Sequence, residues 1–514
     1  MSEPRLTRSR PLSAGEVSYA LGRRAGGTAD PSTIVSLTCS PGYTVTDDQV
    51  ILACAALRLR HPLFASHVTF IGTPHFVVNS PVTQVHALRT AEAQIEFHTF
   101  TDQDDAVVKL RDEWLAVSLD KALDIRERTC AVWWGRDADT HSGKYVLGLL
   151  TTHFVTDQRR SFNLVRQFVE LLASPGKAQS ELDAHFSGAV MPAPIPASIE
   201  DLVPKLDEDE EAGSKAKLAF DELYMRFADK PMSGIVPDGS LSTSIFVPRF
   251  LRKIWTADET KRILQACKTR GVTITHLAHI ANALSALKDK DQCAVVNGNG
   301  DSERIYLDFS QPIDLATRFP EQFHGLHGQA SDEMETVVRI GMFPIVLDVP
   351  RSAVADAAHG SSTHIWALVE RFKERNNAFI KSPYFWHFMK MYNPLFIEAH
   401  QARVAGRPAH PFISSLGDLK SLLPAQYTVQ ETEREGAPTN NHSAVEEGAG
   451  IRITDMLVVG RLDNFSLSCH LFTFDGRLHL QLRYNAERAT PALMEPWFDR
   501  LVDIVTQVTH ASDA

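Results

Sequence analysis

The chain has 514 residues, 44% of them hydrophobic and 22% charged, and a formal net charge of −11. A single core stops growing at roughly 250–300 residues, so two lobes are expected, each able to bury a core without disulfides or metal. The acidic balance speaks against a nucleic-acid partner, because binding to a phosphate backbone rests on clustered Lys and Arg.

The segment Met1 to Pro11 carries Arg5, Arg8 and Arg10, and no apolar stretch follows it. It therefore does not read as a secretory signal, and no run approaches the roughly 20 residues of a membrane span. A cytoplasmic chain is expected. The cysteines Cys39, Cys54, Cys130, Cys267, Cys293 and Cys469 form no CxxC pair and read as buried free thiols in a reducing compartment.

In chain order, Val50 to Leu59 predicts a helix ended by Arg60-His61-Pro62. Val68 to Ile71 and Phe76 to Val78 predict strands about a Gly-Thr-Pro turn. Lys144 to Thr151, rich in Val and Leu, predicts a buried strand. Phe162, Val165, Phe168, Val169 and Leu172 have helical spacing, and Ser174-Pro175-Gly176 stops that helix. The stiff stretch Met191 to Pro196 and the acidic run Asp207 to Glu211 read as a surface connection between lobes.

Beyond it, Ser244 to Val247 predicts a strand, with helices from near Thr256 and from Thr273. Further strands are expected at Arg304 to Phe309, Phe343 to Leu347, Phe465 to Phe472 and Leu478 to Tyr484, the last two joined by an Asp475-Gly476 hairpin turn. A closing helix starts with Thr490 as N-cap and Pro491 at its first position. Each half is expected to be an α/β or α+β sandwich. The expected division is an N-terminal lobe over 1–195, a connection over 196–243 and a C-terminal lobe over 244–514.

The segment His153-Phe154-Val155-Thr156-Asp157 lies between the buried strand and the amphipathic helix, where a loop side chain is held rigidly yet reaches an opening. A structural histidine and a general base both fit this pattern. An ordinary imidazole has a pKa near 6.5, so its neutral, basic form is available at neutral pH. Asp157 could contact the histidine or turn away and anchor the loop. Metal readings are weaker. His276 and His279 share a helix face without a HExxH arrangement, and His324 and His327 flank a loop, so no metal is expected. Gly298 to Asp301 reads as a hairpin turn. P-loop, GxGxxG and GxSxG patterns are missing, which excludes the common nucleotide sites and a nucleophile-elbow hydrolase.

Taken together, these segments resemble the chloramphenicol-acetyltransferase-like superfamily, which includes peptide-synthetase condensation domains and fungal CoA-dependent alcohol acetyltransferases such as the trichothecene 15-O-acetyltransferases. Leu59-Arg60-His61-Pro62-Leu63 is similar to its RHxxL segment and Thr152 to Asp157 to its HHxxxDG. Val272 to Thr275 is similar to the opening of its second half, and Ile413-Ser414-Ser415-Leu416-Gly417 to its VSNLG. The resemblance implies two CAT-like lobes with a channel between them. It implies His153 as general base, and Asp157 as a loop anchor paired with Arg60.

It also implies direct transfer from acyl-CoA to a small-molecule alcohol, with acetyl-CoA or another acyl-CoA as co-substrate, no permanently bound cofactor, and a monomer. Ser415 is the expected oxyanion donor. Ser414 is the alternative, because neighbouring strand residues face opposite ways. Departures are Thr152 for the first histidine, Gln158 for the glycine, Ser415 for an asparagine and the lack of a DFGWG, which speaks against a plant BAHD enzyme. A carrier-protein thioester as donor, or a non-catalytic binding protein of the same fold, are the competing functions.

Overall fold

The computed structural model describes residues 7–22, 30–116, 123–203, 206, 209–227, 234–240, 246–287, 303–319, 337–391, 410–430, 450–460 and 467–508. The chain divides into two compact units. One comprises 1–202, 320–339 and 419–461, and the other 203–319, 340–418 and 462–514.

The first unit begins with β1 (Thr7–Pro11), α1 (Ala14–Gly22) and β2 (Pro31–Cys39). β2 is buried along almost its whole length, as a strand covered on both faces requires. α2 (Asp47–Arg60) starts at a Thr46/Gln49 capping box, and Pro62 follows its end. β3 (Ser66–Thr69) and β4 (His75–Asn79) pair antiparallel as expected, and β1 adds to the other edge of β4. Then come α3 (Gln84–Glu92), β5 (Ile95–Phe100), α4 (Gln103–Leu115), β6 (Cys130–Asp137) and β7 (Lys144–Thr151). α5 (Gln158–Ala173), α6 (Pro175–Phe186) and the single turn α7 (Ile199–Leu202) follow.

In the second unit, α8 (Glu210–Phe227) begins within the acidic run, with Glu210 and Glu211 in its first turn at the positive end of the helix. Ala216 on it packs with Met342 and Phe388, so the segment expected as a plain connection supplies core. β8 (Pro248–Ile254) starts later than the strand expected at 244–247. Residues 244 and 245 lie outside the described residues, and the amide of Val247 donates to the Asn485 side chain, with the ladder starting at Pro248. α9 (Ala257–Thr269), α10 (Ile274–Leu287), β9 (Arg304–Asp314), β10 (Ile340–Pro350), α11 (Arg351–Ala358), α12 (Ser362–Ile380) and β11 (Phe412–Asp418) continue the unit.

The chain then returns to the first unit as β12 (Gln426–Thr428) and β13 (Gly450–Gly460). This corrects the expectation of one C-terminal lobe over 244–514: β13 pairs antiparallel with β2, far from it in sequence. The resulting six-stranded sheet has the order β12-β13-β2-β7-β6-β5. α4 and α5 cover its opposite faces. Ile34 and Gly148 are register partners on the α4 side, where a Cβ on Gly148 would meet Trp114 at 2.6 Å, whereas Thr33 reaches Ser161 of α5.

β14 (Ser468–Phe474), β15 (Arg477–Asn485) and α13 (Pro491–Gln507) complete the second unit, whose sheets run β11-β14-β15-β8 and β10-β9. β14 starts at Ser468, and residues 465 and 466 lie outside the described residues. Asp475 (φ 47°) and Gly476 (φ 72°) are left-handed, as a two-residue hairpin turn demands. Thr490 precedes α13 as expected, but its side chain does not cap the helix. Its hydroxyl donates to Asp238 instead, at 2.6 Å. Cys39, Cys54, Cys130, Cys267 and Cys469 are buried free thiols. Cys293, the Gly298–Asp301 turn, His324 and His327 lie outside the described residues. Among those residues no helix is long and apolar enough to cross a membrane.

Candidate active site

The HxxxD segment leaves β7 at Thr151 and enters α5 at Gln158. Its backbone is held from both sides. The amide of Thr152 donates to the Thr129 carbonyl, and the Thr152 carbonyl accepts from Val155 at 3.0 Å and Thr156 at 3.2 Å. Phe154 and Val155 are fully buried, and the Phe154 ring lies 5.7 Å from that of Phe76. This tight turn fixes the position of His153.

The His153 ring is half-buried and stacks on Tyr19 of α1, with centroids 4.9 Å apart. Its Nδ1 is buried with no hydrogen-bond partner among the described residues. Its backbone amide donates to Asp30. Tyr19 is a residue the sequence reading missed, because nothing in the local pattern of α1 points to a loop so distant in the chain. Burial, helped by the charge of Asp157, pushes the Tyr19 phenol up to about 12, so it stays protonated.

Asp157 is the N-cap of α5. Its Oδ1 accepts from the Arg160 amide at 3.2 Å, and its Oδ2 from Arg160 Nη1 at 3.0 Å and from the Arg339 amide at 2.9 Å. All three donors are backbone or guanidinium groups, and the imidazole of His153 is not among them. The expected Arg60–Asp157 pair does not form. Arg60 binds Glu181 of α6 with Nε and Nη2, at 2.7 and 2.5 Å, and Gln167 with Nη1. The reason is local: Asp157 already has a cation one helical turn away, and α6 packs against α2 with Glu181 opposite Arg60. The i,i+3 spacing of Asp157 and Arg160 was the signal available in the sequence.

Gln158, which replaces the glycine of the resembled motif, is buried at the first turn of α5 and donates to Thr33. His61 donates its Nε2 hydrogen to Gln167 at 3.0 Å, and burial pushes this imidazole down to about 4.

Ser414 and Ser415 lie on β11 in the second unit. Ser414 is buried, whereas the half-buried Ser415 hydroxyl is 2.7 Å from that of Thr275 on α10. A bulge follows Ser415, and Gly417 takes a left-handed φ of 79°. His276 and His279 are core residues. His279 stacks on Phe372 and His276 accepts from the Thr273 amide, and burial pushes them down to about 3 and about 4. Among the described residues no group of His, Cys, Asp and Glu could hold a metal ion.

No protein-family model matches the sequence, and no curated protein matches it. Solved structures do match, and they give the chain the two-lobed fold of condensation and CAT-like proteins over its full length. Trichothecene 15-O-acetyltransferase TRI3 from Fusarium sporotrichioides matches with a TM-score of 0.71 and 16% identity, over 98% of this chain and 96% of that one. The first condensation domain of the calcium-dependent antibiotic synthetase matches at 0.61 and 11%, over 98% and 97%. SgcC5 from Streptomyces globisporus matches at 0.58 and 14%, over 98% and 99%.

Proposed function

We propose that this chain is an acyltransferase that moves an acetyl or short acyl group from CoA to a hydroxyl of a small, secondary-metabolite-like acceptor, with His153 as general base. The observation that carries the reading is the division of labour in the loop. The His153 ring is held on Tyr19, while every hydrogen bond of the Asp157 carboxylate goes to Arg160 and Arg339. An aspartate so committed anchors the loop and does not relay a proton. The imidazole takes the proton of the acceptor hydroxyl as its oxygen attacks the thioester carbonyl. The tetrahedral adduct then expels the CoA sulfur, which receives that proton, and no acyl-enzyme forms. Developing charge on the carbonyl oxygen needs a fixed donor. Ser415, with Ser414 as alternative, is proposed for it on the resemblance of its strand segment.

An acyl-CoA panel against polyol, sesquiterpenoid and sugar-lipid acceptors, followed by thiol release, tests the reading. His153→Ala should keep the fold and lose on the order of 10²–10⁴-fold in turnover. Near-full activity in that variant would sink the mechanism. The likeness to a condensation domain supports a second reading, transfer from a carrier-protein thioester. Replacing acyl-CoA with holo carrier protein separates the two.

A further inference from the structure

Several arginines of the first unit are matched by carboxylates: Arg10 by Glu16, Arg60 by Glu181, Arg160 by Asp157 and Arg166 by Glu170. Arg8 and Arg58 have no carboxylate partner among the described residues, and both line one opening. Arg8 of β1 donates to the Ala193 carbonyl, and Arg58 of α2 to the side-chain oxygen of Gln94. Gln94 is itself locked by the carbonyls of Phe64 and Cys130. The ionisable groups next to Arg58 are the thiols of Cys54 and Cys130, which burial pushes up to about 12 and so keeps neutral.

No Asp or Glu is among the residues that line the opening. His185 of α6 does line it, and Arg8 adds to the burial that holds its imidazole below the usual range. Ser80 lines it too. Its hydroxyl is buried, with the residue 8% exposed, and has no partner among the described residues.

Two guanidinium groups and an unpartnered hydroxyl line one opening that has no carboxylate among its residues. A tetrahedral oxoanion suits all three groups at once. It accepts from both guanidinium groups and from the serine, in the charge-assisted geometry that makes Arg the preferred phosphate ligand. We infer that the opening between β1, α2 and α6 is a binding site for a phosphate-type oxoanion, either free or as a phosphate monoester. The inference does not depend on the acyl-transfer reading.

The test uses the full chain. Binding heat and the thermal midpoint are followed with inorganic phosphate, with 3′,5′-ADP, and with chloride at matched ionic strength, for the native chain and for Arg8→Met, Arg58→Gln and Ser80→Ala. The expected result is a saturable response to phosphate that chloride does not reproduce, because a ligand bound only by the folded state raises the midpoint. Loss of either arginine should weaken it tenfold or more. Tighter binding of 3′,5′-ADP than of phosphate would assign an esterified ligand, and the reverse a free anion. Equal behaviour in phosphate and chloride overturns the proposal. So does a native-like response in Arg8→Met, a substitution on an edge strand that tests the site even if Arg58→Gln fails to fold.

Discussion

Replacing Asp157 tests how the candidate loop is held. Its pair with Arg160 is buried, with side chains 6% and 2% exposed, and the same carboxylate caps α5 and takes the Arg339 amide. Removing one partner of a buried pair costs roughly 3–5 kcal/mol, because the other charge keeps its desolvation penalty and loses its compensation. Asp157→Ala also loses the N-cap, worth about 1 kcal/mol, whereas Asp157→Asn retains a capping oxygen and should be milder by about that amount. The two losses together come to about 4–6 kcal/mol, so at about 2–4 °C per kcal/mol for a unit of this size the alanine variant should melt about 8–24 °C lower.

Calorimetry with urea titration is the assay, and a double-mutant cycle locates the partner. Asp157 and Arg160 should couple by about 0.5–3 kcal/mol, while Asp157 and Arg60 should add within about 0.5 kcal/mol. A midpoint within about 2 °C of native in Asp157→Ala, or coupling to Arg60 in place of Arg160, refutes the reasoning. A large rate loss without any loss of stability would instead assign the carboxylate to the chemistry.

Three further expectations concern neighbouring groups. Tyr19→Ala should lower kcat about 2–10-fold through loss of an aromatic contact worth about 0.5–1.5 kcal/mol, and Tyr19→Phe should restore it; steady-state kinetics with KM followed separately checks this. His61 is held neutral by burial, with a folded value of about 4 against 6.5 for an ordinary imidazole. Its stability contribution is therefore complete above pH 6.5 and is lost as pH falls toward 4, by up to about 1.4 kcal/mol per pH unit. His61→Gln should flatten the melting profile over that window, and an unchanged slope would contradict the assignment. For the proposed donor, Ser415→Ala should cost roughly 10²–10³-fold in kcat with acyl-CoA affinity unchanged, and Ser414→Ala should not. Equal, small effects of both would move the role to backbone amides or water.

Much of the local structure was legible before any coordinates. Lys144–Thr151 is the strand its unbroken apolar run implied, Gln158–Ala173 is the helix its spacing implied, and the Asp475-Gly476 turn closes its hairpin. In each case the deciding forces act between residues a few positions apart, through burial period, cap chemistry or permitted φ. Even the cation beside Asp157 was readable, since Arg160 stands one helical turn away. What needed the tertiary structure were pairings across long stretches of chain. Examples are Arg60 with Glu181, Tyr19 on His153, the Arg339 amide on Asp157, and β13 inserted beside β2. A charge or a strand edge can be satisfied by any partner of the right chemistry, so composition and spacing leave many candidates. The choice among them is made only when the core closes and brings one within a hydrogen bond's length.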